Sequence, residues 1–168
     1  NSTATHPYTT LGYFTLTLTV TGQNGCVSVK TYSVYKGSNP QVPFSNPGAS
    51  VGQCVPFTYT IPSQPTSNPP GTIYIITTND GTPPVTLPNP PPPTFSHTFT
   101  TSSCGATGGI TPNTFFIKIR AENPCGFSNL TIEPITTNIK PKAKFTISPD
   151  SVACVNSLVT FTNTSTIQ

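Results

Sequence analysis

Phe14, Leu16, Leu18 and Val20 alternate with Thr15, Thr17 and Thr19. A period of two puts the apolar set on one face and the threonines on the other, as in a strand with one buried face. Gln23-Asn24-Gly25 is a turn signal, and Val27 to Val34 reads as the returning strand, so the pair predicts a hairpin. The pattern recurs down the chain. Val55, Phe57, Tyr59 and Ile61 alternate with polar residues or proline. Thr72 to Thr78 is apolar and ends at Asn79-Asp80-Gly81, a second turn signal. Phe95, His97 and Phe99 alternate with Ser and Thr, and Thr114 to Ala121 leads into a turn at Asn123-Pro124. Leu130 to Ile139, Phe145 to Ile147 and Val159 to Thr162 complete the series. No stripe at i, i+3, i+4, i+7 persists, so no long helix is expected. Short strands with turns at intervals of roughly 8–12 residues predict an all-β fold of the β-sandwich kind. The expected core is Phe57, Tyr59, Ile75, Phe115 or Phe116, Ile117 and Ile119.

The strands form an internal repeat of about one hundred residues. Cys26 after Asn24-Gly25 and Cys125 after Asn123-Pro124 lie 99 residues apart. Cys54 and Cys154, each ahead of an alternating aromatic strand, lie 100 apart. Phe44 and Phe145, each four residues after a proline (Pro40 and Pro141), lie 101 apart. His6-Pro7-Tyr8 and His97-Thr98-Phe99 lie only 91 apart, which places an insertion around Cys104 in the second copy. The expected organisation is one complete unit, 39–140. It is flanked by the second half of a unit, 1–38, and the first part of another, 141–168. The chain thus reads as an excerpt from a longer tandem array, in keeping with the absence of Met. Both partial units carry apolar faces that need cover, from the rest of their own units or from another copy.

Composition narrows the function classes. Of 168 residues only 7% are charged, against about 25% in average domains. There are 21 Pro, 12 Gly and 32 Thr, and no Trp. Ten Phe and six Tyr supply a core that disordered chains lack. Four carboxylates and two histidines leave few parts for acid–base chemistry or a metal cage, so an enzyme is disfavoured. A net charge of +3 is too weak a field to argue for nucleic acid. No apolar run approaches the ~18 residues of a transmembrane helix.

The candidate chemistry is sparse. His97 and Cys104 are close enough in sequence for a nucleophile pair, but no orienting carboxylate is evident. An inward or edge strand position is the favoured reading of His97. Asp80 is the candidate ligand for calcium, yet one carboxylate is poor supply and a plain turn is favoured. Lys140, Lys142 and Lys144 read as an exposed linker strand kept soluble and unpaired. Pro88 to Pro93 is polyproline II by composition, a stiff spacer rather than a docking ligand. Asn129 and Asn163 fit the N-glycosylation pattern, and Asp150-Ser151-Val152 makes Ser151 a candidate O-glycosylation acceptor. Five cysteines without metal spacing point to disulfides and an oxidising compartment. Cys54 opens the complete unit and Cys125 closes it, so Cys54–Cys125 is the expected staple. Cys26 and Cys154 then pair outside the excerpt or with each other across chains. Cys104 is left over, and Cys54 or Cys125 could take it instead. Reduced thiols are the competing reading.

His6-Pro7-Tyr8, the strand Phe14 to Val20, Asn24-Gly25-Cys26 and the stretch Phe145 through Thr162 resemble the polycystic-kidney-disease (PKD) type of immunoglobulin-like repeat. Thr77-Thr78-Asn79-Asp80-Gly81 stands where that family carries a Trp-Asp-Phe-Gly-Asp-Gly turn, so the middle unit is PKD-like. Thr- and Cys-rich arrays of this style resemble the large cell-surface proteins of Bacteroidota, including gliding adhesins. The resemblance implies tandem immunoglobulin-like sandwiches without cofactor, outside the cell, serving as a structural or adhesive segment. The implied partners are neighbouring units, other copies in a fibre, and surface polysaccharide. The alternative is a polysaccharide-binding accessory module of a secreted hydrolase.

Overall fold

The structure is a computed structural model that describes residues 3–149 and 152–166. Every regular element among them is a β-strand. In chain order they are β1 (Gly12–Thr21), β2 (Val27–Lys36), β3 (Ser50–Cys54), β4 (Phe57–Pro62), β5 (Ile73–Thr78) and β6 (Val85–Pro88). β7 (Thr94–Phe99), β8 (Phe115–Asn123), β9 (Gly126–Asn138), β10 (Phe145–Ser148) and β11 (Thr160–Asn163) follow. The abundance of Thr, Val, Ile and aromatic residues explains the uniformity, because these side chains fit a pleated, half-buried surface.

Two sheets share the central core. One has five strands in the order β3-β9-β8-β5-β6, and the other pairs β4 with β7. Ile61, Tyr59 and Phe99 of the small sheet meet Tyr74, Ile76, Ile117, Ile119 and Ile132 of the large one, consistent with a β-sandwich. Phe99 stacks on Phe115 with ring centroids 5.0 Å apart. Phe44 joins the core beside the small sheet through its bridge to Ser63. Tyr59, Phe115, Ile117 and Ile119 are buried as expected, and Phe57 packs at the core's edge. Ile75 is not a core residue; Tyr74 and Ile76 face inward instead. The run Ile73-Tyr74-Ile75-Ile76 is apolar on both faces, so its alternation carries no sign. Tyr74 can be the buried member because its hydroxyl has partners: it donates to Asn89 Oδ1 at 2.8 Å and accepts from Asn68 Nδ2 at 2.9 Å.

The direction of the strands fixes the geometry of the whole. β3 runs parallel to β9, with Ser50 opposite Ile135 and Cys54 opposite Asn138. β9 starts at the turn after Asn123, where Asn39 lies against Gly126, and ends at Asn138. The chain therefore enters the sandwich at one pole and leaves at the other. β1–β2 and β10–β11 are separate two-stranded hairpins at the two ends. The apolar face of each is open within the chain: Leu16, Leu18, Val20 and Tyr32 on the first, and Phe145, Ile147 and Phe161 on the second.

Candidate functional site

Asp80 sits in the turn between β5 and β6, the turn that Asn79-Asp80-Gly81 predicts. Its Oδ1 accepts from Thr78 Oγ1 at 2.6 Å, Thr82 Oγ1 at 2.7 Å and Thr82 N at 3.1 Å. Its Oδ2 lies 2.6 Å from His97 Nε2 on β7. The Asp80 side chain is 3% exposed and that of His97 13%. Burial would raise the Asp80 carboxyl, but the hydrogen bonds from Thr78, Thr82 and His97 outweigh it and hold the group at about 2. His97 packs edge-on against Phe99 at 4.6 Å. Asn79 completes the lock: its Nδ2 donates to the carbonyls of Thr107 and Thr114, and its Oδ1 accepts from Phe116 N. The turn thus ties the large sheet to the small one through β7, and to the loop before β8.

Asp80 is the orienting carboxylate for His97 that was not evident in the sequence. Asp80 stands 17 residues before His97, and only the crossing from one sheet to the other brings them together. The hydroxyls of Thr78 and Thr82 are spent as donors to Asp80. Cys104 is exposed in the loop beyond β7, with its N–H on Ser102 Oγ, and no hydrogen bond links it to His97 among the described residues. The carboxylate is used as a turn anchor, and no group of three His, Cys, Asp or Glu side chains converges around a metal position among the described residues.

A second constellation lies where the first hairpin meets the sandwich. Tyr13 lies against Gly71, whose φ of +87° keeps the turn before β5 tight enough for that approach. Asn123 Nδ2 donates to Ser38 O at 3.0 Å and to Thr72 Oγ1 at 3.2 Å. Burial pushes the Tyr35 phenol up, and the neighbouring Cys125 adds to that. Tyr13, Arg120, Glu122, Asn123 and Phe127 line an open cleft of about 480 Å³ here. Arg120 stacks over the Phe127 ring at 3.9 Å and holds Glu122 at 2.7 Å. Phe127 and Tyr13 are both more than half exposed. Sequence reasoning missed this cleft because its residues come from β1, the end of β8 and the start of β9, which only the fold brings together.

The expected Cys54–Cys125 staple is a correction. All five cysteines are free and exposed. The reason is the direction of the strands. Cys54 faces Asn138 at the end of β9, whereas Cys125 precedes its first residue. A strand of 13 residues at about 3.3 Å each separates the two by roughly 40 Å, while a disulfide needs Cα atoms within about 7 Å. Cys54 and Cys125 are therefore not neighbours; they mark opposite poles of the sandwich.

Lys142 and Lys144 bond to Thr166, Thr164 and Ser165 through their backbone, so this stretch is paired with the chain after β11. The correction here is that the linker strand is not left open; Lys140, Lys142 and Lys144 do remain exposed. The proline run connects β6 in one sheet to β7 in the other. Pro92 and Pro93 carbonyls accept from Ser63 Oγ and N, which fastens it as the spacer it reads as. Asn129 and Asn163 are exposed, and Ser151 lies outside the described residues. Among the described residues, no helix is long and apolar enough to cross a membrane. No known protein family, curated protein or solved structure matches the chain.

Proposed function

We propose that the chain is a load-bearing, non-catalytic segment of an extracellular tandem array of immunoglobulin-like, PKD-like units, with 39–140 a complete unit and 1–38 and 141–168 parts of its neighbours. The observation that carries this reading is the parallel pairing of β3 with β9, which sends the chain in at one pole and out at the other. Units joined that way line up end to end, and tension along the array shears the β3–β9 hydrogen bonds together instead of unzipping them one by one. The contacts of Ser38 and Tyr13 with the pole of the sandwich supply a defined joint between successive units. Threonine-rich outer faces with few charges suit a hydrated surface structure. Its place at the cell surface is tested by antibody labelling of intact cells that make the protein. Labelling that external protease removes supports the reading; labelling only after permeabilisation contradicts it.

A second reading, binding of surface polysaccharide, draws on the cleft at that joint. Tyr13 and Phe127 offer exposed aromatic faces beside Arg120, Glu122 and Asn123, the mix of stacking and hydrogen-bonding groups that a sugar ring uses. Retardation in polysaccharide gels, abolished by Tyr13→Ala and Phe127→Ala together, would favour it; unretarded wild-type protein would leave the joint a purely mechanical one.

A further inference from the structure

The small sheet of the sandwich ends in an open edge at β7. Ser63 N donates to the carbonyl of Pro93 at 2.8 Å, one step beyond the pairing of Pro62 with Thr94. Antiparallel pairs alternate between those that exchange backbone hydrogen bonds and those that do not. The bonded pairs are therefore Ile61 with Phe95, Tyr59 with His97 and Phe57 with Phe99. Thr60–Ser96 and Thr58–Thr98 fall between them, and their hydroxyls meet at 2.9 and 2.8 Å, as the closer approach of non-bonded pairs allows. The N–H and C=O of Thr94, Ser96 and Thr98 thus point away from β4. Among the described residues no hydrogen bond reaches these backbone groups, and all three residues are exposed. The other edges are guarded. β6 is four residues long and runs from Pro83-Pro84 into Pro88. β3 breaks register between Ser50 and Gln53, with Gly52 at a φ of +73°. The outer edge of β4 is held at its end, where Pro62 O accepts from Ser45 N and Gln64 N donates to Pro43 O. Prolines, bulges, short strands and charges keep a sheet edge from pairing with another chain. The strand Thr94-Phe95-Ser96-His97-Thr98-Phe99 carries no proline, bulge or formal charge, and no Asp, Glu, Lys or Arg occurs between Asp80 and Lys118.

We infer that β7 is a dimerisation edge, pairing antiparallel with β7 of a second copy about a two-fold axis at Ser96. The register follows from the open groups: Ser96 lies opposite Ser96 of the other copy, and Thr94 opposite its Thr98. Three features of the edge select a second copy as the occupant. The stretch from Gly81 to Ile117 holds no formal charge that would repel its like. The Thr and Ser row that joins β4 to β7 meets an identical row across the axis. On the inner face Phe95 comes opposite His97 of the other copy, and both rings are only half-buried in the single chain. One such edge per copy makes the contact isologous, so pairing closes at a dimer. The product is a continuous four-stranded sheet, two strands from each copy. The inference rests on the register of β4 with β7 and stands apart from the tandem-unit reading; within an array the same contact joins two arrays side by side.

The test uses the full chain, with sedimentation velocity and amide hydrogen exchange as readouts. Wild type should pass from monomer to dimer as concentration rises. Ser96→Pro removes the N–H at the axis, which no bond inside the sheet uses. Ser96→Lys keeps that N–H but sets two like charges opposite each other. Ser96→Ala loses the same hydroxyl contact with Thr60 and leaves the edge intact. Ser96→Pro and Ser96→Lys should lose the dimer at concentrations where wild type and Ser96→Ala keep it. The lysine and alanine variants should unfold within about 2 °C of wild type, since the side chain is exposed. In the dilute protein the N–H groups of Phe95, His97 and Phe99 should be protected and those of Thr94, Ser96 and Thr98 should exchange freely. The second set should slow as the dimer forms. A folded wild type that stays monomeric at every concentration overturns the inference and leaves the tandem-unit reading standing. A dimer that survives Ser96→Lys, or that forms without slowing the Thr94, Ser96 and Thr98 amides, uses another surface and overturns it equally.

Discussion

At the scale of single residues, Asp80 and His97 decide how the two sheets are held in register at one pole. The Asp80 carboxyl is held at about 2 in the fold, below its ordinary 3.8. A depressed carboxyl contributes stability that is present above its unfolded value and is lost as pH falls through its folded one. The window therefore runs from about pH 4 down to about pH 2. With solvent close to the turn, its contribution is on the order of 1–2 kcal/mol. Asp80→Asn keeps the shape of the side chain and removes the charge. Urea unfolding at stepped pH should show the variant less stable than wild type at pH 7 by about that amount, and the two converging near pH 2. A variant as stable as wild type at pH 7 would mean that the turn needs no carboxylate. The pair was illegible in the sequence because nothing local links a turn residue to a strand 17 positions on; the link is made by β6, the proline run and the change of sheet.

At the scale of elements, alternation located the strands well and their faces less well. Where one face is Thr and the other apolar, as in Phe14 to Val20, sequence predicts both the strand and its apolar face. Where both faces are apolar, as in Ile73 to Ile76, it predicts the strand alone, and Tyr74 turns inward because Asn68 and Asn89 satisfy its hydroxyl. Alternation also does not say whether an apolar face is covered. Ile117 is fully buried between the sheets, while Leu18, in the corresponding hairpin, is 57% exposed. Ile117→Ala should therefore cost about 2–5 kcal/mol of unfolding free energy. Leu18→Ala in the single copy should change it by less than about 0.5 kcal/mol. Equal losses in denaturant melts of the dilute protein would show that the first hairpin is already covered.

At the scale of the whole molecule, the offsets between cysteines and aromatics suggest a repeat, but they say nothing of the direction of the strands. Spacing alone suggests that the first and last cysteines of a unit pair with each other. Strand direction puts them at opposite ends, because β3 and β9 are parallel and Cys54 lies where β9 finishes. The proposed load-bearing role draws on the same polarity, which supplies the most direct test. A single chain is pulled from its two ends at constant speed. The two-stranded terminal hairpins should extend at low force without a distinct event. Residues 44–138 should then give way in one cooperative step. At about 3.3–3.6 Å per residue this step releases roughly 300 Å of chain, and its force should be well above that needed to unzip a hairpin. Smooth extension without a cooperative step, or a sequence of small releases at low force, would contradict a sandwich loaded in shear along β3 and β9.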